Sequence, residues 1–247
     1  MNFGFGQGRT VIKFTAKRVL RAVAQGARAS VLTIAMVIGV GAVALSSPAN
    51  AADKDAKTLV LFGDSLMAGY GLDQDEGFAP QLQSALNDRG YNVNVVNSSV
   101  SGDTTAAGLA RLDWALVEKP DAVLLELGAN DALRGVEPSQ TRDNLAQIIE
   151  KLKAQGIDVL LAGMMSPPNM GADYRDEFDS IYPDLAGRYD LDLYPFFLDG
   201  VVADPDLNLD DGMHPNPQGV KEIVGRILPD VISLLSLDPK TALSSDN

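Results

Sequence analysis

Cysteine is absent from the 247 residues and histidine occurs once, as His214. Without cysteine there is no disulfide, no thiolate nucleophile and no thiolate-held metal. A single imidazole rules out any site built on paired histidines. Acidic residues are missing from residues 1–51, which carry Arg9, Lys13, Lys17, Arg18, Arg21 and Arg28. Basic residues are scarce in the remainder. All 33 acids lie beyond residue 51, against the 14 of the 20 basic residues left there, a formal charge of −19. Such a surface repels nucleic acid and anionic membrane, and neither is expected as a partner.

The leader has its own logic. Its basic region precedes an apolar run, Val31 to Leu45, interrupted only by Thr33. Ser46-Ser47-Pro48 breaks the run and Ala49-Asn50-Ala51 follows. This is the pattern of a secretory signal cleaved after Ala51, giving a periplasmic or secreted protein. The run is shorter than the roughly 18 residues of a membrane span, and no stable insertion is expected after cleavage. A retained anchor is the competing reading. Residues 52–238 then form one domain, and 239–247 a flexible tail.

The domain is organised around Leu59-Val60-Leu61-Phe62-Gly63-Asp64-Ser65. Four apolar residues without alternation read as a central strand of a parallel sheet, running into a tight turn. Further strands are expected at Val93–Val96, Ala122–Leu127, Ile157–Ala162 and Leu191–Phe197. Helical spacing links Phe78, Leu82 and Leu86, then Leu109, Leu112 and Leu116, with Trp114 packing beneath the sheet. It recurs at Leu145, Ile148, Ile149 and Leu152, in a helix starting at Pro138. Phe178, Ile181, Tyr182 and Leu185 share another helix, bent at Pro183. The last helix begins at Asn216-Pro217 and buries Val220, Ile223, Val224 and Ile227. Alternating strands and helices imply an α/β fold, a parallel sheet covered on both faces. Ligands of such folds bind outside the carboxyl ends of the strands. The turns after the first three strands, Gly63-Asp64-Ser65, Ser101-Gly102-Asp103 and Gly128-Ala129-Asn130-Asp131, would open on one rim.

Those turns hold the parts of an acyl-transfer site. Ser65 is a candidate nucleophile, weak until a base takes its proton. His214 is the one imidazole available, and Asp211, three residues earlier, can orient it across Gly212. Backbone N–H groups of Ser65 and Gly102 and the side-chain amide of Asn130 could stabilise an oxyanion. Each residue also has an ordinary reading: Gly-Asp-Ser as a turn, His214 as a surface residue in an acidic loop, Gly102 as a turn glycine, Asn130 as a helix cap. Met164, Met165 and Met170, with Pro167 and Pro168, make an apolar loop that either lines an acyl-chain site or packs the core. Asp204-x-Asp206-x-Asn208-x-Asp210 alternates like a calcium loop, but Leu209 and Pro215 stand where glycine and glutamate belong. No metal and no cofactor is expected.

Gly63-Asp64-Ser65-Leu66, Gly102, Asn130 and Asp211-x-x-His214 resemble, in order, the four sequence blocks of the SGNH, or GDSL, hydrolase family. Within it the chain looks most like the bacterial periplasmic thioesterase/lysophospholipase/arylesterase group, through Ser101–Thr104, Gly108–Leu112, Tyr194–Phe197 and Asp211–Asn216. The resemblance implies a three-layer α/β/α, flavodoxin-like fold with a five-stranded parallel sheet in the order 2-1-3-4-5. It implies Ser65 as nucleophile, His214 as base, Asp211 as its partner, and Ser65, Gly102 and Asn130 as the oxyanion hole. The expected substrates are small acyl esters, thioesters or lysophospholipids. A carbohydrate O-deacetylase with the same triad and a non-catalytic periplasmic binding protein are the alternatives.

Overall fold

The computed structural model describes residues 56–237. The signal segment 1–51 and the tail 239–247 expected from the sequence lie outside them. The elements run β1 (Lys57–Phe62), α1 (Ser65–Ala68), α2 (Phe78–Asp88), β2 (Val93–Asn97), α3 (Thr105–Ala115), β3 (Ala122–Glu126), α4 (Ala129–Leu133) and α5 (Pro138–Lys153). They continue with β4 (Asp158–Ala162), α6 (Ala172–Asp179), α7 (Ile181–Tyr189), β5 (Asp192–Tyr194) and α8 (Pro217–Leu234). The five strands form one parallel sheet in the order β2-β1-β3-β4-β5.

The strand sequences explain the sheet's place. Leu59–Phe62, Leu124, Leu125 and Leu160–Ala162 have no exposed surface, as expected of strands covered on both faces. Helices α2 and α8 pack on each other, and α3, α5 and α7 pack together as a second group. Each turns its apolar stripe inward: Leu82 and Leu86 from α2, Ile148 and Ile149 from α5, Ile227 and Val231 from α8. Pro138 and Pro217 stand in the first turns of their helices, where the missing N–H is not needed. The Asn216 side chain caps α8 by accepting from the N–H groups of Gln218 and Gly219.

Three expectations need correction. Trp114 is 85% exposed and does not pack beneath the sheet. It lies two residues from the buried Leu112 on α3, about 200° around the helix and so on the outer face. The helix around Pro183 is not bent there. It is broken at Ser180 into α6 and α7, and Pro183 falls in the first turn of α7, where proline is tolerated. The fifth strand spans Asp192–Tyr194 rather than Leu191–Phe197. Pro195 has no N–H to continue the ladder, although Phe197 N–H still reaches the Gly163 carbonyl at 2.8 Å.

The consequence for function is positional. Chain order and spatial order diverge around β1, which lies between β2 and β3. Its carboxyl end is therefore the switch point where open parallel sheets bind ligands.

Candidate active site

Ser65 is the first residue of α1, directly after the turn that ends β1. Gly63 makes this turn feasible. A methyl group there would lie 2.6 Å from Glu126 Oε2 and 2.8 Å from the Glu126 carbonyl oxygen, so only glycine fits. Asp64 caps α1 by accepting the Leu66 N–H at 3.0 Å. Two neighbours hold the turn further: Gly63 N–H donates to Ser99 Oγ at 3.1 Å, and Arg111 Nη2 donates to the Gly63 carbonyl at 3.1 Å.

His214 reaches this turn from the opposite end of the domain. It sits in the loop before α8, where Leu209 N–H donates to the His214 carbonyl at 2.8 Å and Asn208 bridges Pro215. Asn208, a member of the calcium-like repeat, is buried, and its amide donates to the Val201 and Asp204 carbonyls. Its job is to shape the loop. His214 Nε2 lies 2.8 Å from Ser65 Oγ, and its Nδ1 lies 2.6 Å from Asp211 Oδ2. Asp211 Oδ1 accepts the N–H groups of Met213 at 2.9 Å and His214 at 3.0 Å. These backbone donors, from His214 and then Met213, pull the Asp211 carboxyl down to about 2. A carboxylate only accepts, so His214 carries its hydrogen on Nδ1. In the neutral ring Nε2 is then left with a lone pair facing the Ser65 hydroxyl.

Gly102 and Asn130 arrive from the turns after β2 and β3, and both line the same cavity as Ser65 and His214. Asn130 Nδ2 donates to Asp64 Oδ2 at 3.0 Å. The two turns are fastened by both buried and exposed groups. Asp131 accepts from the Thr105 N–H at 2.8 Å and from the hydroxyls of Thr105 and Thr141, all three residues being buried. Arg134 donates to the Gly102 carbonyl at 2.9 Å. Arg111 joins a third set: it stacks 4.2 Å over the Phe62 ring and binds Asp103 and the Ser98 carbonyl as well as Gly63. None of these supports was foreseen from the sequence. Only Glu126, an acid closing an otherwise apolar strand, stands out as an oddity in the chain itself.

Glu126 is fully buried behind the turn, and its Oε1 has no hydrogen-bond partner. Its Oε2 accepts only a 3.3 Å bond from the Asp64 N–H. Burial, and then the Asp64 charge, push its carboxyl well above the usual range. Burial also raises Asp64, to about 6, offset by its bonds to Leu66 and Asn130. Asp64 has the better donors, so the proton resides on Glu126 and the charge on Asp64.

The cavity lined by Ser65, Gly102, Asn130 and His214 measures about 740 Å³. Met164, Met165, Pro167, Phe196 and Leu198 contribute to its apolar wall. Met164 is buried and Met165 is 52% exposed at the mouth. Met170 is not part of the wall; its methyl lies against Gly135.

The sequence pattern of the GDSL-like Lipase/Acylhydrolase family matches residues 61–221. Esterase TesA of Pseudomonas aeruginosa is 43% identical over 181 residues, covering 73% of this chain and 90% of that protein. "Thioesterase 1/protease 1/lysophospholipase L1" of Escherichia coli K12 is 45% identical over 163 residues, covering 65% of this chain and 76% of that protein. The crystal structure of AlinE4, a SGNH-hydrolase family esterase, superposes with a TM-score of 0.62 at 47% identity, covering 73% of this chain and 97% of that one. With a switch-point serine facing an imidazole and this extent of similarity, the chain belongs to the GDSL-like lipase/acylhydrolase family.

Proposed function

We propose that the protein is a serine hydrolase of carboxylic esters and thioesters, working through an acyl-enzyme on Ser65. The observation that carries this reading is the 2.8 Å contact between Ser65 Oγ and His214 Nε2. As Oγ attacks the acyl carbon, its proton passes to Nε2, and the imidazolium is stabilised by Asp211. The developing oxyanion is met by the N–H groups of Ser65 and Gly102 and the Asn130 amide. His214 returns the proton to the departing alcohol or thiol. It then deprotonates a water that attacks the acyl carbon, releasing the acid and restoring Ser65. Alcohols and thiols leave more readily than amines, so ester and thioester cleavage is favoured over amide cleavage.

The apolar wall supports acyl chains over sugars, with Met164 and Met165 adapting to chains of different length. A carbohydrate deacetylase would want polar groups there, and a mere binding protein has no use for a base aligned on a serine. Secretion by the leader 1–51 completes the reading. No helix among the described residues is long and apolar enough to cross a membrane. The N-terminal residue of the exported protein, expected to be Ala52, tests this part.

The decisive experiment is hydrolysis of nitrophenyl esters and acyl-CoAs of graded chain length by the purified mature protein and its Ser65→Ala variant. The variant is expected to lose about 10⁴-fold or more in kcat. A folded Ser65→Ala protein with full activity would falsify the mechanism.

A further inference from the structure

Tyr70 lies with its ring centroid 4.5 Å from that of His214, the two planes tilted by 38°. The two ring nitrogens of His214 are engaged edge-on by Ser65 and Asp211. Tyr70 takes a face of the same imidazole. It is not there as part of the core, for it is 53% exposed.

The backbone is arranged to hold it in place. Gly69 and Gly71, on either side, have φ values of +82° and +75°, a region where other residues are strained. Tyr70 N–H donates back to the Ser65 carbonyl at 3.2 Å, tying the turn to the first residue of α1. A methyl on Gly71 would come within 2.8 Å of Leu209 Cδ1, so Leu209 seats closely against this turn. Leu209 in turn donates its N–H to the His214 carbonyl. The turn carrying Tyr70 is thus connected both to the Ser65 helix and to the histidine loop.

We propose that Tyr70 is a positioning residue for the base. Its ring limits rotation of the imidazole and faces the imidazolium formed when Ser65 gives up its proton. An aromatic face within about 6 Å attracts a cation, and here the catalytic cation forms as Ser65 gives up its proton. The interaction therefore strengthens towards the transition state and acts on kcat more than on KM. The neutral ring suffices, so the phenol hydroxyl has no part in it.

The inference rests on His214 being the base, and the test separates the two claims. Tyr70→Phe, Tyr70→Leu and His214→Ala are assayed with a short, soluble acyl ester and with a fluorophosphonate probe of Ser65. The Phe variant is expected to stay within about twofold of the parent. The Leu variant is expected to lose about three- to thirtyfold in kcat, with KM within about twofold, and to react with the probe slower by a similar factor. Three results overturn the proposal: a Leu variant with kcat within twofold of the parent, a Phe variant as impaired as Leu, or a raised KM at unchanged kcat. An active His214→Ala protein overturns the base assignment itself. An inactive one beside a normal Leu variant sinks only the role of Tyr70.

Discussion

Asn130 spends one amide hydrogen on Asp64 Oδ2, at 3.0 Å, so the amide is anchored from behind by a buried carboxylate. The other hydrogen of the same nitrogen is the one proposed to meet the oxyanion. Asn130→Ala should therefore lower kcat by about 10²–10³-fold, some 3–4 kcal/mol of barrier, with little change in KM. Steady-state kinetics on one ester check this. A raised KM at unchanged kcat would mean that Asn130 binds ground state and transition state equally.

Stability should respond to pH with opposite signs at two carboxyl sites. Asp211, held down to about 2 in the folded protein, stabilises above its unfolded value of 3.8. That contribution disappears as pH falls from about 4 towards 2. Glu126 is raised well above its unfolded 4.5, so the folded state takes up a proton more readily there. Its contribution is full at low pH and is lost as pH rises through the folded value. Glu126→Gln stays uncharged throughout. The Tm of the variant, followed from pH 4 to 9, should gain on that of the parent as pH rises, and a gap independent of pH contradicts the assignment.

Gly63→Ala should both destabilise and inactivate. The added methyl meets Glu126 at 2.6 Å from Oε2 and 2.8 Å from the carbonyl oxygen, and Met67 Sδ at 3.1 Å. The sulfur can yield; the Glu126 backbone cannot. Denaturant unfolding should show a loss of about 1–3 kcal/mol. The folded fraction should also show reduced kcat, because the displaced turn carries Ser65.

Met165 and Met170, both in the segment after β4, make a matched pair. Met165 is in the cavity wall and Met170 is not. Met165→Ala should alter the ratio of octanoyl to butanoyl ester hydrolysis, whereas Met170→Ala should leave it unchanged. Equal behaviour of the two variants would remove the chain-length role of this loop.

Much of the architecture was legible because buried parallel strands write themselves as short apolar runs. Leu59–Phe62 and Leu160–Ala162 are fully buried, and the helices between them keep their apolar stripes. The strand order itself came from family resemblance, since alternation alone leaves several orders open. The errors are local. Residue type alone places Trp114 inside, whereas its distance of two from Leu112 on a helix points it outward. At β5, Pro195 ended a ladder that hydrophobicity alone would have continued. The groups of the candidate site were recognisable as residue types, yet 149 positions separate Ser65 from His214, and only folding brings them together. Most supports were hidden for that reason: Arg111 and Asp131 act through partners distant in sequence, with no local pattern to announce them, and only Glu126 shows itself, as an acid closing an apolar strand.

The outward placement of Trp114 has a practical consequence. It is the chain's one tryptophan, and its indole is already hydrated in the native protein. Its emission should change little on denaturation, and acrylamide should quench it almost equally before and after. Melting curves for this enzyme are therefore better taken from circular dichroism, while the same indole serves as a ready reporter for anything that settles on the outer face of α3.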